Sequence, residues 1–311
     1  MDIYITEKCN ANCNNCFNRE FRSNNEISIS DFKQLCAYLR NNGCENVRLM
    51  GGEPTIHSRF KEMAKIAQDY FSEVRLLTNA LGNGILDFNP REEDNIVYNF
   101  ACVGYDFQLT KMLFEKPGKR ELSIVVSKNT DATELIHKLN TIFSTDDLIN
   151  RIEIGLHLDA TCDVFLDSSW AKTKIDTLAI YFLAKKWRFG FPKDGDRSQL
   201  FPHCFPEENQ LLYGTATSNI CSITEPKVLN ANLDFLFCES FPVKVSSLFE
   251  NGQIIDWDEL QKRTSIIRYK RLKITETRCE KCLDYLVTCD GTCFGLTGLK
   301  GFHEIRINRK S

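Results

Sequence analysis

The chain has 311 residues, 42% hydrophobic and 26% charged, which is enough to bury a sizeable core and excludes a disordered or fibrous polypeptide. A formal net charge of -3 gives no electrostatic case for nucleic acid or an anionic membrane as partner. No apolar stretch approaches the length of a membrane span, and Met1-Asp2 runs into Ile3-Tyr4-Ile5 without a basic and then apolar leader, so a cytoplasmic location is expected.

Ile3 to Ile5 reads as a strand leading into a cysteine-bearing loop. Phe32, Leu35, Cys36 and Leu39 mark one face of a helix that Ser30 is placed to cap and Gly43 to end. Val47 to Met50 is the second strand, and Phe60, Met63, Ala64, Ala67 and Phe71 form the next helical stripe. Val74 to Leu77 is a third strand, ending in Thr78-Asn79-Ala80. Ile96 to Val103 and Leu122 to Val126 are further strands, ending at Gly104-Tyr105-Asp106 and Ser127-Lys128-Asn129, with a helix over Asp131 to Phe143 after the second. Arg151 to Leu158 and Arg188 to Phe191 are the last two, separated by an apolar helix through Ile180, Tyr181 and Leu183.

Strands alternating with helices at this spacing imply a parallel sheet, and six such units predict an α/β fold, a partial (β/α)6 TIM-like barrel over residues 1–195. In such barrels the site lies at the C-terminal ends of the strands, where the polar motifs fall. Past residue 195 the rhythm stops, and Pro192, Pro202, Pro206, Pro226 and Pro242 interrupt the chain. What remains distinctive there is cysteine, so residues 196–311 are expected to form a small cysteine-rich domain stapled by metal.

Fourteen cysteines in a reducing compartment favour metal ligation over disulfides wherever they cluster. Cys9, Cys13 and Cys16 lie on one short, Asn-rich segment, and three thiolates can close over one face of an iron–sulfur cube, leaving the fourth iron open. Gly51-Gly52-Glu53-Pro54 follows the second strand; its glycines let the backbone approach a ligand closely, and Glu53 offers an acceptor for a cationic amino group. The plainer alternative for the three cysteines is a zinc site completed by a distant histidine such as His57.

Read together, C-x3-C-x2-C after the first strand and GGEP after the second resemble the radical SAM superfamily. The resemblance implies a 4Fe-4S cluster on Cys9, Cys13 and Cys16, with S-adenosylmethionine chelating the open iron. It implies cofactor contacts from Gly51, Gly52, Glu53 and Pro54, and from Ser127 and Asn129 for the ribose and carboxylate. In the family, one-electron reduction cleaves the cofactor to methionine and a 5'-deoxyadenosyl radical, which abstracts a substrate hydrogen. Where members usually carry an aromatic residue before the third cysteine this chain has Asn15, and Phe17 takes over part of the packing near the adenine.

Cys279-x2-Cys282-x6-Cys289-x3-Cys293 resembles the auxiliary-cluster extension of the same superfamily, called SPASM in its full form and twitch in its shortened form, with one residue more than the usual spacing. In one allocation Cys221, Cys238 and Cys293, with Cys204, hold one auxiliary 4Fe-4S cluster, and Cys279, Cys282 and Cys289 a second with a ligand such as Asp290 or His303. In the other, Cys221, Cys238, Cys279 and Cys282 hold a single cluster; a structural zinc on the last four cysteines is the plain alternative. Cys36, Cys44, Cys102 and Cys162 read as packing residues, with Cys102 the candidate hydrogen-atom donor near the barrel mouth and Asp106 the candidate substrate contact or base. His157 and Asp159 are candidate substrate or ribose contacts, and Arg263 to Lys273 a solvated basic face.

The resemblance thus implies an enzyme that modifies a ribosomally made peptide or protein by crosslinking, thioether formation, epimerisation or oxidation. Its partners would be that peptide, a separate leader-peptide-binding chain, and an electron donor such as flavodoxin or ferredoxin. A twitch-type dehydrogenase of a small alcohol or sugar is the alternative, followed by a non-catalytic metal-binding or electron-transfer module.

Overall fold

The computed structural model describes residues 1–13, 16, 22–100, 112, 115–127, 129–143, 152–158, 169–185, 189–190, 225–237 and 243–271. Seven strands follow one another across one sheet: β1 (Asp2–Thr6), β2 (Asn46–Gly51), β3 (Glu73–Thr78), β4 (Asn95–Asn99), β5 (Lys119–Val126), β6 (Ile152–Leu158) and β7 (Phe189–Gly190). Each pairs in parallel with the one before it. Helices α1 (Ile29–Asn41), α2 (Phe60–Tyr70), α3 (Ala132–Ile142) and α4 (Ser169–Ala184) lie in the β1–β2, β2–β3, β5–β6 and β6–β7 connections. This is the α/β partial TIM-like barrel that the alternation predicts.

Side-chain alternation along the strands builds two layers. Ile3 and Ile5 of β1, Val47 and Leu49 of β2, Val74 and Leu76 of β3, and Leu122, Ile124 and Val126 of β5 join the stripes of α1 and α2 in the main core. Residues of opposite parity, Tyr4, Met50 and Leu77, gather with Val228 and Leu236 in a second cluster on the other face.

Three local expectations need correction. Helix α1 is capped by Ser28, whose Oγ accepts from the Asp31 N–H (3.1 Å) and donates to the Asp31 carboxylate (2.7 Å); Ser30 falls inside the first turn, where it has no free N–H to cap. Gly43, at φ +81°, ends the helix as expected. In α4 the inward stripe is Ile175, Leu178, Ala179 and Phe182, at helical spacing, whereas Ile180 and Leu183 lie off it and are 68% and 65% exposed. Strand β4 stops at Asn99, short of Val103, and Phe100 donates its N–H to the Ser123 carbonyl (3.0 Å). Helix α3 starts at Ala132, one residue after the expected Asp131, which is its cap, its carboxylate accepting from the Thr133 and Glu134 amides.

Beyond residue 225 the chain returns to the sheet. Strand β8 (Val228–Leu229) lies parallel to β1, pairing Asp2 with Val228 and Ile3 with Leu229. Strands β9 (Asp234–Leu236) and β10 (Lys244–Ser247) extend the edge antiparallel, and a small hairpin of β11 (Phe249–Glu250) and β12 (Gln253–Ile254) precedes α5 (Trp257–Arg271). Phe235, Phe237, Leu248 and Leu260 belong to the main core, and the Tyr38 ring of α1 packs tilted against Phe235 and edge-on against Trp257 at centroid distances of 6.2 and 5.7 Å. Burying each such ring is worth about 2–3 kcal/mol, so this edge is held to the barrel by apolar packing as well as by β8. Arg263 of α5, the first residue of the basic stretch, pairs with Glu259 and Glu250. Among the described residues no helix is long and apolar enough to cross a membrane.

Candidate functional site

At its C-terminal end β1 opens into a loop pinned where it leaves and where it returns. Glu7 donates its N–H to the Asn25 carbonyl (2.9 Å), Ile27 donates to the Ile5 carbonyl (2.9 Å), and Thr6 bridges Glu26. Lys8 pairs with Glu26 at 3.0 Å, and Ser23 hydrogen-bonds the buried Glu7 carboxylate. The loop is thereby closed on a short stem.

The three sequence-predicted cluster cysteines sit on this loop, Cys13 buried and Cys9 and Cys16 half-buried. Ala11 donates its N–H to Cys9 Sγ (3.4 Å). Burial pushes the Cys9 thiol up, and the nearby charges of Glu53 and Cys13 add to that, against the Ala11 N–H and Arg22. The loop also holds a cation that the sequence analysis missed. Arg22 donates from Nη1 to the Ala11 carbonyl (2.7 Å) and from Nη2 to Cys16 Sγ (3.3 Å), while its buried Nε has no acceptor among the described residues.

This donor set fits an iron–sulfur cube: three soft sulfur donors on one loop, with a guanidinium beside them to offset their charge. Among the described residues no three His, Cys, Asp or Glu side chains converge on a single-ion site, and a cube, which takes each thiolate on a different iron, does not require them to. His57 is not free to complete a zinc site, because it uses both ring nitrogens. Its Nδ1 accepts from the Arg59 N–H (2.9 Å), which leaves Nε2–H to donate to the Ile27 carbonyl (3.1 Å). Burial correspondingly lowers its pKa.

The Gly51-Gly52-Glu53-Pro54 turn lies directly against the loop. Gly52 donates its N–H to the Thr6 carbonyl (2.9 Å) and Glu53 to the Lys8 carbonyl (2.8 Å). A Cβ on Gly51 would fall 2.0 Å from the Thr6 oxygen, and one on Gly52 2.1 Å from the Lys8 oxygen. What these glycines admit, then, is the backbone that launches the cysteine loop. Gly51 also has φ +154°, which L side chains rarely adopt.

Glu53 is 1% exposed. Its Oε1 accepts from the Thr55 amide (3.1 Å), Thr55 Oγ1 (2.6 Å) and Thr78 Oγ1 (2.7 Å), and its Oε2 from the Asn79 amide (2.7 Å). Burial pushes its pKa up against these hydrogen bonds, since every donor is neutral. Asn79 then reaches the cysteine loop: its Nδ2 donates to Asn10 Oδ1 (2.9 Å), and Asn10 Nδ2 to the Leu81 carbonyl (3.1 Å). The cysteine loop, the turn after β2 and the end of β3 thus form one hydrogen-bonded surface. Pro54 starts a buried 3-10 turn, Pro54–Ile56, behind it.

Ser127 and Asn129 lie past the end of β5. Ser127 is buried in a turn with Thr130, whose Oγ1 accepts from the Ser127 amide (2.8 Å), and Asn129 is exposed. Among the described residues no hydrogen bond joins either to the cysteine loop. In β6, position 157 pairs in register with Val125. Asn15, Phe17, Cys102, Asp106, Asp159, Cys162, Cys204, Cys221, Cys238, Cys279, Cys282, Cys289, Asp290, Cys293 and His303 lie outside the described residues. Asn79 had a signal in the sequence, standing at a strand end; Arg22 had none, being one of 39 Lys and Arg.

Residues 3–87, which hold the cysteine loop and the turn after β2, match the model of the Radical SAM superfamily. The chain is 29% identical over 92 residues to an S-adenosylmethionine-dependent nucleotide dehydratase of Selenomonas ruminantium, covering 29% of this chain and 32% of that one. It is 24% identical over 216 residues to the GTP 3',8-cyclase of Campylobacter jejuni, covering 64% and 67%. The chain therefore spans about a third of the dehydratase's length and two thirds of the cyclase's. Crystal structures of Streptococcus suis SuiB, bound to S-adenosylmethionine or to the precursor peptide SuiA, share its fold with TM-scores of 0.61 and 0.59. Identity is 16%, over 94% of this chain and 72% and 71% of those chains.

Proposed function

We propose that this chain is a radical S-adenosylmethionine enzyme whose substrate is a ribosomally made peptide. Cys9, Cys13 and Cys16 hold a 4Fe-4S cluster, and the turn Gly51 to Pro54 receives the methionyl end of the cofactor. When bound, cluster and cofactor supply a 5'-deoxyadenosyl radical that takes a hydrogen atom from the substrate.

The carrying observation is the joint anchoring of loop and turn, with Gly52 and Glu53 bonded to Thr6 and Lys8 and Asn79 bonded to Asn10. It brings three thiolates and a buried carboxylate without a cationic donor to one set of strand ends. Glu53 is too buried to act as an open ligand; it attracts a cationic amino group through its field and fixes the backbone that this group meets. In this reading Ser127 and Asn129 would serve the cofactor's ribose and carboxylate, Phe17 its adenine, and Asp106 and Cys102 the substrate.

The peptide reading is supported by the shared fold with SuiB, which binds a precursor peptide. A nucleotide substrate is the second reading, favoured by the sequence similarity to the GTP cyclase and the nucleotide dehydratase. Residues 1–195 would form the radical SAM unit and 196–311 the auxiliary-cluster unit, with Cys221, Cys238, Cys279, Cys282, Cys289 and Cys293 as ligands. A leader-peptide-binding chain and a flavodoxin or ferredoxin would serve as partners.

Anaerobic reconstitution, iron counting and an assay for 5'-deoxyadenosine test this reading. About 4, 8 or 12 iron atoms per chain correspond to no, one or two auxiliary clusters. Absence of 5'-deoxyadenosine under strong reductant defeats the enzymatic reading. Mass spectrometry of a co-expressed neighbouring peptide, against a panel of nucleotides, separates the two substrates by which of them changes mass.

A further inference from the structure

Arg22 stands on the returning limb of the cysteine loop, one residue before Ser23, which hydrogen-bonds the buried Glu7 carboxylate, and three before Asn25, whose carbonyl holds the Glu7 amide. Its guanidinium is therefore carried by the stem and reaches into the loop, spanning the Ala11 carbonyl and the Cys16 sulfur. A cation that served only solubility would not bury its Nε, which has no acceptor among the described residues.

We propose that Arg22 is a positioning and tuning residue that raises the reduction potential of a cluster held by Cys9, Cys13 and Cys16, through its N–H donation to the Cys16 sulfur and its positive charge. The inference rests on the cluster reading above. A hydrogen bond to a ligating sulfur withdraws electron density from the iron, and a nearby cation offsets the extra negative charge of the reduced state, so both favour reduction. The step is a one-electron transfer from a low-potential donor, dithionite in the assay, to the cluster; no protein bond forms or breaks. The reductive power needed to cleave the cofactor would then be set in part by a side chain outside the cysteine motif.

The test is an EPR-monitored redox titration of the reconstituted full chain, as wild type, Arg22→Gln and Arg22→Lys, with iron content measured on each. At equal iron content, Arg22→Gln is expected to lower the reduced-to-oxidised ratio at fixed potential about tenfold, a downward shift of about 59 mV. Arg22→Lys, which keeps the charge but not the planar fork, should fall between the two. Equal potentials at equal iron content overturn the proposal and leave Arg22 a brace of the loop. Because Arg22→Gln can fail to hold iron, the wild type labelled with 15N-arginine supplies a second readout. Pulsed EPR of its reduced cluster should show a 15N coupling, and its absence overturns the proposal. If the wild type itself takes up no iron, the cluster reading fails, and the inference with it.

Discussion

Strand β3 is gripped at both ends by a buried carboxylate, and the two carboxylates are satisfied in opposite ways. At the N-terminal end Asp94, 0% exposed, accepts from the Val74 amide (2.9 Å), the Arg91 amide (2.8 Å), Gln68 Nε2 (2.7 Å) and Arg91 Nη2 (2.8 Å). Burial opposes its charge, but the Arg91 guanidinium and amide, with Val74 and Gln68, outweigh burial and hold its pKa below the usual carboxylate range. At the C-terminal end Glu53 has only amides and hydroxyls around it, and burial carries its pKa upward. The end that has only to hold the barrel together carries its own cation. The end facing the cysteine loop has none among its donors, which suits a place where a ligand brings one.

This contrast can be broken from either side. Asp94→Ala removes the partner of Arg91 and strands two backbone amides, and should cost about 3 kcal/mol of stability in urea denaturation, with cofactor affinity per folded molecule unchanged. Gly52→Ala forces a methyl into the Lys8 carbonyl, backbone against backbone; about 2–3 kcal/mol is expected, with cluster retention reduced in iron assays. Glu53→Gln sets an amide NH2 against either the Asn79 N–H or the donors from Thr55 and Thr78. It should cost about 1–3 kcal/mol and weaken S-adenosylmethionine binding to the reconstituted protein about tenfold in equilibrium titration. Unchanged affinity in that variant would remove Glu53 from the cofactor site.

The smallest effect is in the pH dependence, where the two carboxylates have opposite signs. Asp94, with its pKa lowered in the folded state, contributes stability above about pH 4 that is lost as pH falls through its folded pKa. Glu53, with its pKa raised, takes its proton earlier when folded, so acidification favours the native state through it and the contribution is lost as pH rises. Asp94→Asn should flatten the acid limb of a stability–pH curve, and Glu53→Gln should steepen it.

The cysteine loop, the GGEP turn and the first strand–helix units were legible because softness, spacing and side-chain parity are properties of short segments. Arg22 was not, since only the closed stem brings it back to Cys16. The full set of donors around Glu53 was not either, because Thr78 and Asn79 reach it from another strand. Ser28 and Ser30 offer the same hydroxyl two residues apart, and only the backbone at Ser28 (φ -70°, ψ 155°) decides which one caps. The apolar positions of α4 outnumber its buried stripe, so composition alone could not orient the helix. Strands β8 to β10 are two to four residues long, below the length at which alternation can be read.

The pairing of β1 with β8 has a consequence for the order of assembly. The strand that launches the cysteine loop is interior to the sheet, yet one of its two neighbours is synthesised more than two hundred residues later. At ribosomal speeds β1 waits on the order of 10 s with an open edge, a long-range contact of the kind that folds slowly. The footing of the cysteine loop is thus among the last parts of the sheet to be completed, so until the C-terminal segment emerges that loop is rooted on a strand paired along one side only.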